Sequence, residues 1–80
     1  MLEKREANVL LVDDEEQFLD VLTQRLEARG LKVKAVTNGE DAVKQVEDHN
    51  FDAIIVDLAM PGIDGIETLK RIKKKRPGDR

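Results

Sequence analysis

Cysteine, tryptophan and tyrosine are absent from this 80-residue chain, and only two aromatics occur, Phe18 and Phe51. Without cysteine there is no disulfide framework and no thiolate metal site, which fits a reducing compartment. With so few aromatics there is no set of stacking platforms of the kind that holds single-stranded nucleic acid. No apolar run approaches the roughly 20 residues that a membrane-spanning helix needs. The opening MLEKREANVLLVDDE has neither the apolar length nor the small-residue cleavage site of a signal peptide. These absences lead to the expectation of a cytoplasmic protein that binds neither membrane nor nucleic acid.

Charge is abundant but unevenly placed. Residues 1–69 hold 16 acids and 7 bases, a net of −9, whereas residues 70–80 hold 1 acid and 7 bases, a net of +6. The basic stretch KRIKKKR (70–76) could be a nucleic-acid patch. Ile72 keeps an apolar period through it, however, and cations suit the end of a helix, where they complement the macrodipole. The helix end is the better reading.

Apolar patterning divides the chain into six elements. Val9-Leu10-Leu11-Val12 is a continuous apolar run closed by Asp13-Asp14, the pattern of a strand buried on both faces. Phe18, Leu19, Leu22 and Leu26 then follow one helical face over about 15–29. Asp14 is placed to cap that helix, with Gln17 completing a capping box, and Gly30 to end it. Residues 31–36 alternate apolar and basic, predicting a strand with one wet face and a lysine-protected edge. Asn38 opens a second helix with Ala42, Val43 and Val46 inward, which Asp48-His49-Asn50 breaks. The single histidine, His49, reads as a solvated loop residue. Residues 51–56 are the most strand-like stretch. After a Pro61-Gly62 loop, Ile63, Ile66, Leu69 and Ile72 recur every third residue, predicting a third helix over 64–75 with Asp64 as its cap and Pro77-Gly78 after it.

The order β-α-β-α-β-α implies a parallel sheet with right-handed crossovers, the first and third strands adjacent. Ligands bind such sheets outside the carboxyl ends of the strands. Three acids fall there: Asp13 and Asp14 after the first strand, Asp57 after the third. Carboxylates that close repel, and a hard, oxygen-seeking cation relieves the repulsion; with few protein ligands Mg²⁺ suits better than Ca²⁺. A carboxylate held beside Mg²⁺ is also a reasonable phosphoryl acceptor. Either acidic signal alone would be an ordinary cap or turn. Together, at the ends of neighbouring strands, they point to a site.

VLLVDDE, GLKVKAVTNGEDAV and FDAIIVDLAMPGIDGIETLKRIK resemble the receiver domain of two-component response regulators, over residues 9 to about 75. The resemblance implies a flavodoxin-like (CheY-like) doubly wound α/β sheet, here (βα)3 with strand order 2-1-3. It implies an extension at 1–8, the receiver unit at 9–76 and a tail at 77–80. It also implies that Asp57 accepts a phosphoryl group from a histidine kinase. Asp13, Asp14, Asp57 and the backbone carbonyl of Ala59 would bind Mg²⁺. Pro61 and Gly62 would shape the loop, and Gly65 would permit close approach at the third helix. Receivers continue for two further β-α units that carry a phosphoryl-sensing Ser/Thr and a Lys; this sequence stops before them, so a truncated form with compromised activity is expected. Lys70, Lys73, Lys74 and Lys75 cannot replace that Lys, because they sit at the far end of their helix from the acids.

The chain is expected to be a phosphoacceptor and not an enzyme. An aspartyl-nucleophile hydrolase is disfavoured because Ala59 stands where those enzymes place a second acid. The alternative is a non-phosphorylatable, self-associating interaction module. Self-association is expected in either case, as a homodimer or higher oligomer. One route is antiparallel pairing of two third strands across an apolar edge.

Overall fold

A computed structural model describes residues 6–57 and 65–75. The element order is β1 (Asn8–Val12), α1 (Glu16–Glu27), β2 (Lys32–Val36), α2 (Gly39–Asp48), β3 (Ala53–Val56) and α3 (Gly65–Lys75). The strands form one sheet in the order β2-β1-β3, with both pairings parallel. That is the expected α/β doubly wound topology with strand order 2-1-3. The expected loop features at Ala59, Pro61, Gly62 and Asp64, and those at Pro77 and Gly78, lie outside the described residues.

β1 occupies the middle because its sequence can tolerate burial on both faces. Val9, Leu10, Leu11 and Val12 are all buried, with Leu10 fully inaccessible. Alternate side chains feed two cores. On one face Leu10 and Val12 join Val36, Ala42, Val46 and Ile72 beneath α2 and α3. On the other, Val9 and Leu11 meet Leu19 of α1, with Leu22, Leu26, Leu31 and Val33 around them. The period-2 alternation of a strand thus builds a three-layer unit from a single central run.

Helix ends follow local chemistry, with one departure from expectation. Asn38 caps α2: its Oδ1 accepts from the Asp41 N–H at 2.8 Å, and its Nδ2 donates to Asp41 Oδ2 at 3.1 Å. At the end of α1 the Gly30 N–H donates to the Glu27 carbonyl and the Leu31 N–H to the Leu26 carbonyl. This paired closure needs a left-handed residue, and Gly30 supplies it at φ 91°. Asp14, by contrast, is not the cap of α1. Glu15 occupies that position without a side-chain cap bond, while Asp13 accepts from the Glu15 N–H at 2.9 Å. A short aspartate turn satisfies the donor from one residue earlier and leaves the Asp14 side chain exposed.

The inward face of α3 also differs from the every-third-residue reading. Gly65, Thr68 and Ile72 are buried, whereas Ile66 and Leu69 are 55 % and 38 % exposed. A spacing of three advances around a helix of 3.6 residues per turn, so the isoleucine-leucine series drifts off the core. Small residues, Gly65 and Thr68, take the close approach instead. Phe18, likewise expected on the inward face of α1, lies 48 % exposed at its rim.

Replacing Asn38 with Ala should lower unfolding free energy by about 1 kcal/mol, because an Asp41 N–H and a reciprocal amide bond lose their partner. Gly30→Ala should cost a similar amount, about 1–2 kcal/mol, from left-handed backbone strain alone; nothing lies within 4 Å of the added methyl. Urea titration followed by circular dichroism measures both.

Candidate phosphoacceptor and metal site

The end of the sheet fixes the positions of two acids through their own backbones. The Asp13 N–H donates to the Val36 carbonyl at 3.2 Å, and the Asp57 N–H donates to the Val12 carbonyl at 2.8 Å. These bonds continue the β1–β2 and β1–β3 ladders one step past the last paired residues, Val12↔Val36 and Val12↔Val56. Asp13 and Asp57 therefore emerge side by side where the strands stop. Asp14 follows directly on the turn.

Carboxylate oxygens of Asp13, Asp14 and Asp57 all lie within 4.8 Å of one another. Asp13 and Asp57 are half-buried and Asp14 is exposed. One Asp13 oxygen is held by the Glu15 N–H, which orients the carboxylate and leaves its second oxygen for another partner. An octahedral Mg²⁺ with bonds of about 2.1 Å spaces neighbouring oxygens about 3 Å apart and opposed ones about 4.2 Å apart. Three carboxylates at this separation fit such an ion with small adjustments, and Asp14 has the exposure to bind through water. All three acids singled out from sequence are brought together.

A shallow cleft of about 120 Å³ adjoins the acids on the α1 side, lined in part by Phe18, Leu22, Ile55, Asp13 and Asp57. Phe18 and Ile55 thus form an apolar margin to the site, which the sequence pattern did not isolate. The available signal was the lone aromatic in the first turn of a helix that follows an acidic pair. A larger cavity, about 370 Å³, sits at the opposite end of the sheet between Asn8, Lys32, Lys34, Gln45, His49 and Phe51. It is remote from the acids. His49 is exposed there, its ring edge-on to Phe51 at 6.3 Å. The lysines of α3 also lie away from the acids: Lys75 pairs with Glu47 at 2.6 Å, near the end of α2.

The sequence matches the family described as response regulator receiver domain over residues 9–79. The chain belongs to that family. Receiver domains are non-catalytic phosphoacceptor modules of two-component signal transduction. Among curated relatives, transcriptional regulatory protein ResD of Bacillus subtilis is 36 % identical over 76 residues, covering 95 % of this chain and 32 % of ResD. Among solved structures, response regulator TrrA from Thermotoga maritima in complex with Mg²⁺-BeF superposes with a TM-score of 0.83 at 37 % identity. The match covers 89 % of this chain and 62 % of that one. The complex of histidine kinase ThkA with TrrA gives a TM-score of 0.84 at 35 % identity, covering 92 % and 64 %. The chain therefore spans about a third of the length of such curated relatives and about three fifths of these solved chains. Its three β-α units form the corresponding part of the receiver fold. No described helix is long and apolar enough to cross a membrane.

Three carboxylates held this close repel one another, so removing one should stabilise the metal-free fold. Asp14→Asn is expected to raise unfolding free energy by a few tenths to about 1 kcal/mol, the scale of a solvent-exposed charge interaction. Urea titration in chelator, repeated in high salt to screen the repulsion, measures it; the gain should shrink with salt.

Proposed function

We propose that this receiver module accepts a phosphoryl group on Asp57 from a histidine kinase, with Mg²⁺ held by Asp13, Asp14, Asp57 and the carbonyl of Ala59. The observation that carries this reading is the convergence of the three carboxylates at the sheet end. The superposition on TrrA, a protein solved with Mg²⁺-BeF and in complex with a kinase, supports the ion and the donor class.

In the proposed step a carboxylate oxygen of Asp57 attacks phosphorus. A P–O bond forms, the P–N bond of a phosphohistidine breaks, and its electron pair returns to the imidazole. Mg²⁺, when bound, offsets charge on the transferring oxygens. Asp57 is the nucleophile. Asp13, tethered by the Glu15 N–H, and Asp14, free to act through water, are the groups that hold the ion. The β1–β3 ladder keeps the nucleophile from drifting. Residues 9–76 form the working unit, with 1–8 an extension and 77–80 a tail, and the cytoplasm is its place. The competing reading is an interaction module that keeps the acids without using them.

Titration with Mg²⁺ and beryllofluoride distinguishes the two. The expected result is a Mg²⁺-dependent adduct, seen by fluorine NMR, that Asp57→Asn abolishes and Asp13→Asn weakens at least about tenfold. Absence of metal binding at millimolar Mg²⁺ removes the phosphoacceptor reading.

A further inference from the structure

The face of the sheet beneath α2 changes character toward its amino end. Strand alternation puts Asn8, Leu10 and Val12 of β1 on that face, together with Lys32, Lys34 and Val36 of β2. Leu10, Val12 and Val36 belong to the core, whereas the remaining positions, Asn8, Lys32 and Lys34, are polar. The cavity of about 370 Å³ lies there, within the size range of small-molecule sites. Its walls are β1, β2, α2 and the turn from α2 into β3. Edge protection accounts for a lysine on β2, but not for a cavity that two of them line.

The lining offers three kinds of contact. Lys32 and Lys34 supply positive charge, about 7 Å apart along the strand. Neither lysine forms an ion pair among the described residues, and none of the described lining residues is acidic, in a chain of net charge −3. Gln45 supplies an acceptor: its Oε1 is buried and receives no hydrogen bond. A buried acceptor of that kind is costly to keep without a donor. Phe51 supplies an apolar wall, packed against the core and met edge-on by the His49 ring at 6.3 Å.

The end of α2 orders these contacts. A helix carboxyl end carries partial negative charge, and the His49 N–H closes this one onto the Gln45 carbonyl at 2.9 Å. An anionic group is therefore favoured at the β2 lysines and disfavoured beside the helix end. A hydrogen-bond donor suits the helix end, beside Gln45.

We infer that this cavity binds a mononucleotide, with its phosphate against Lys32 and Lys34, its base along Phe51 and a base amino group donating to Gln45 Oε1. Inorganic phosphate matches only the charge, and a nucleoside only the ring and the donor. The site lies at the opposite end of the sheet from Asp13, Asp14 and Asp57, and it does not rest on the phosphoacceptor reading.

Titration of adenosine monophosphate into the isotope-labelled 80-residue chain, followed by amide NMR, tests it. Chelator is included so that Mg²⁺ cannot draw phosphate to the acids. Saturable shifts centred on residues 32–34 and 45–51 are expected, with a dissociation constant of about 1 mM or tighter. Adenosine and inorganic phosphate should each bind at least about tenfold more weakly. Lys32→Ala with Lys34→Ala, both exposed positions, should weaken the nucleotide at least about tenfold and leave the circular dichroism spectrum unchanged. Gln45→Met, which keeps the length but drops the acceptor, should weaken the nucleotide and leave inorganic phosphate unaffected. Shifts centred on the lysines of α3, equal affinity for inorganic phosphate, or no saturation up to about 10 mM overturns the inference. So does nucleotide binding that neither variant weakens.

Discussion

Parallel pairing of β1 with β3 is the constraint on which the candidate site depends. The register Val12↔Val56 ends both strands at the same level, and the acid following each emerges there. A slip of two residues would keep every side chain on its proper face yet move one acid by nearly 7 Å along the sheet. The three-carboxylate cluster would then be lost. Register is fixed by what lies at both ends of the ladder. The Asp52 N–H donates to the Asn8 carbonyl at 2.7 Å, the Asn8 N–H to Asp52 Oδ2 at 2.7 Å, and the Asp57 N–H to the Val12 carbonyl. The site is precise because the ladder is closed at both ends.

This constraint assigns β1 a double task. Its alternate residues anchor both cores, and its last ladder position delivers the first acid. A polar substitution inside it would disturb packing on one face and geometry at the site together. α1 and α2 mostly provide cover, but their starts have a second consequence. The donor at the start of α1 is satisfied by Asp13 rather than by Asp14, so the same turn that begins the helix orients a carboxylate of the cluster. Helix initiation and site construction share one hydrogen bond.

Much of this was legible in the sequence because its signals are local and redundant. The continuous run at 9–12, the alternating run at 31–36 and the run at 51–56 each specify a strand of different exposure. The acids at 13, 14 and 57 close two of them. What escaped was tertiary. Asp14 was expected to cap α1, but Glu15 takes the cap position and Asp13 accepts the Glu15 N–H, a one-residue shift among neighbouring acids that composition cannot resolve. The inward face of α3 depended on how close the helix sits: Gly65 and Thr68 permit an approach that displaces the larger Ile66 and Leu69 to the outside. Spacing alone favoured the bulkier residues.

The separation of charge along the sheet is the property that connects these observations. Parallel strands collect their following residues at one end, and returning helices carry theirs to the other. An acid-terminated strand and a lysine-terminated helix therefore place opposite charge at the two ends of the sheet. Within the chain the two ends do little for each other, because solvent and the length of α3 lie between.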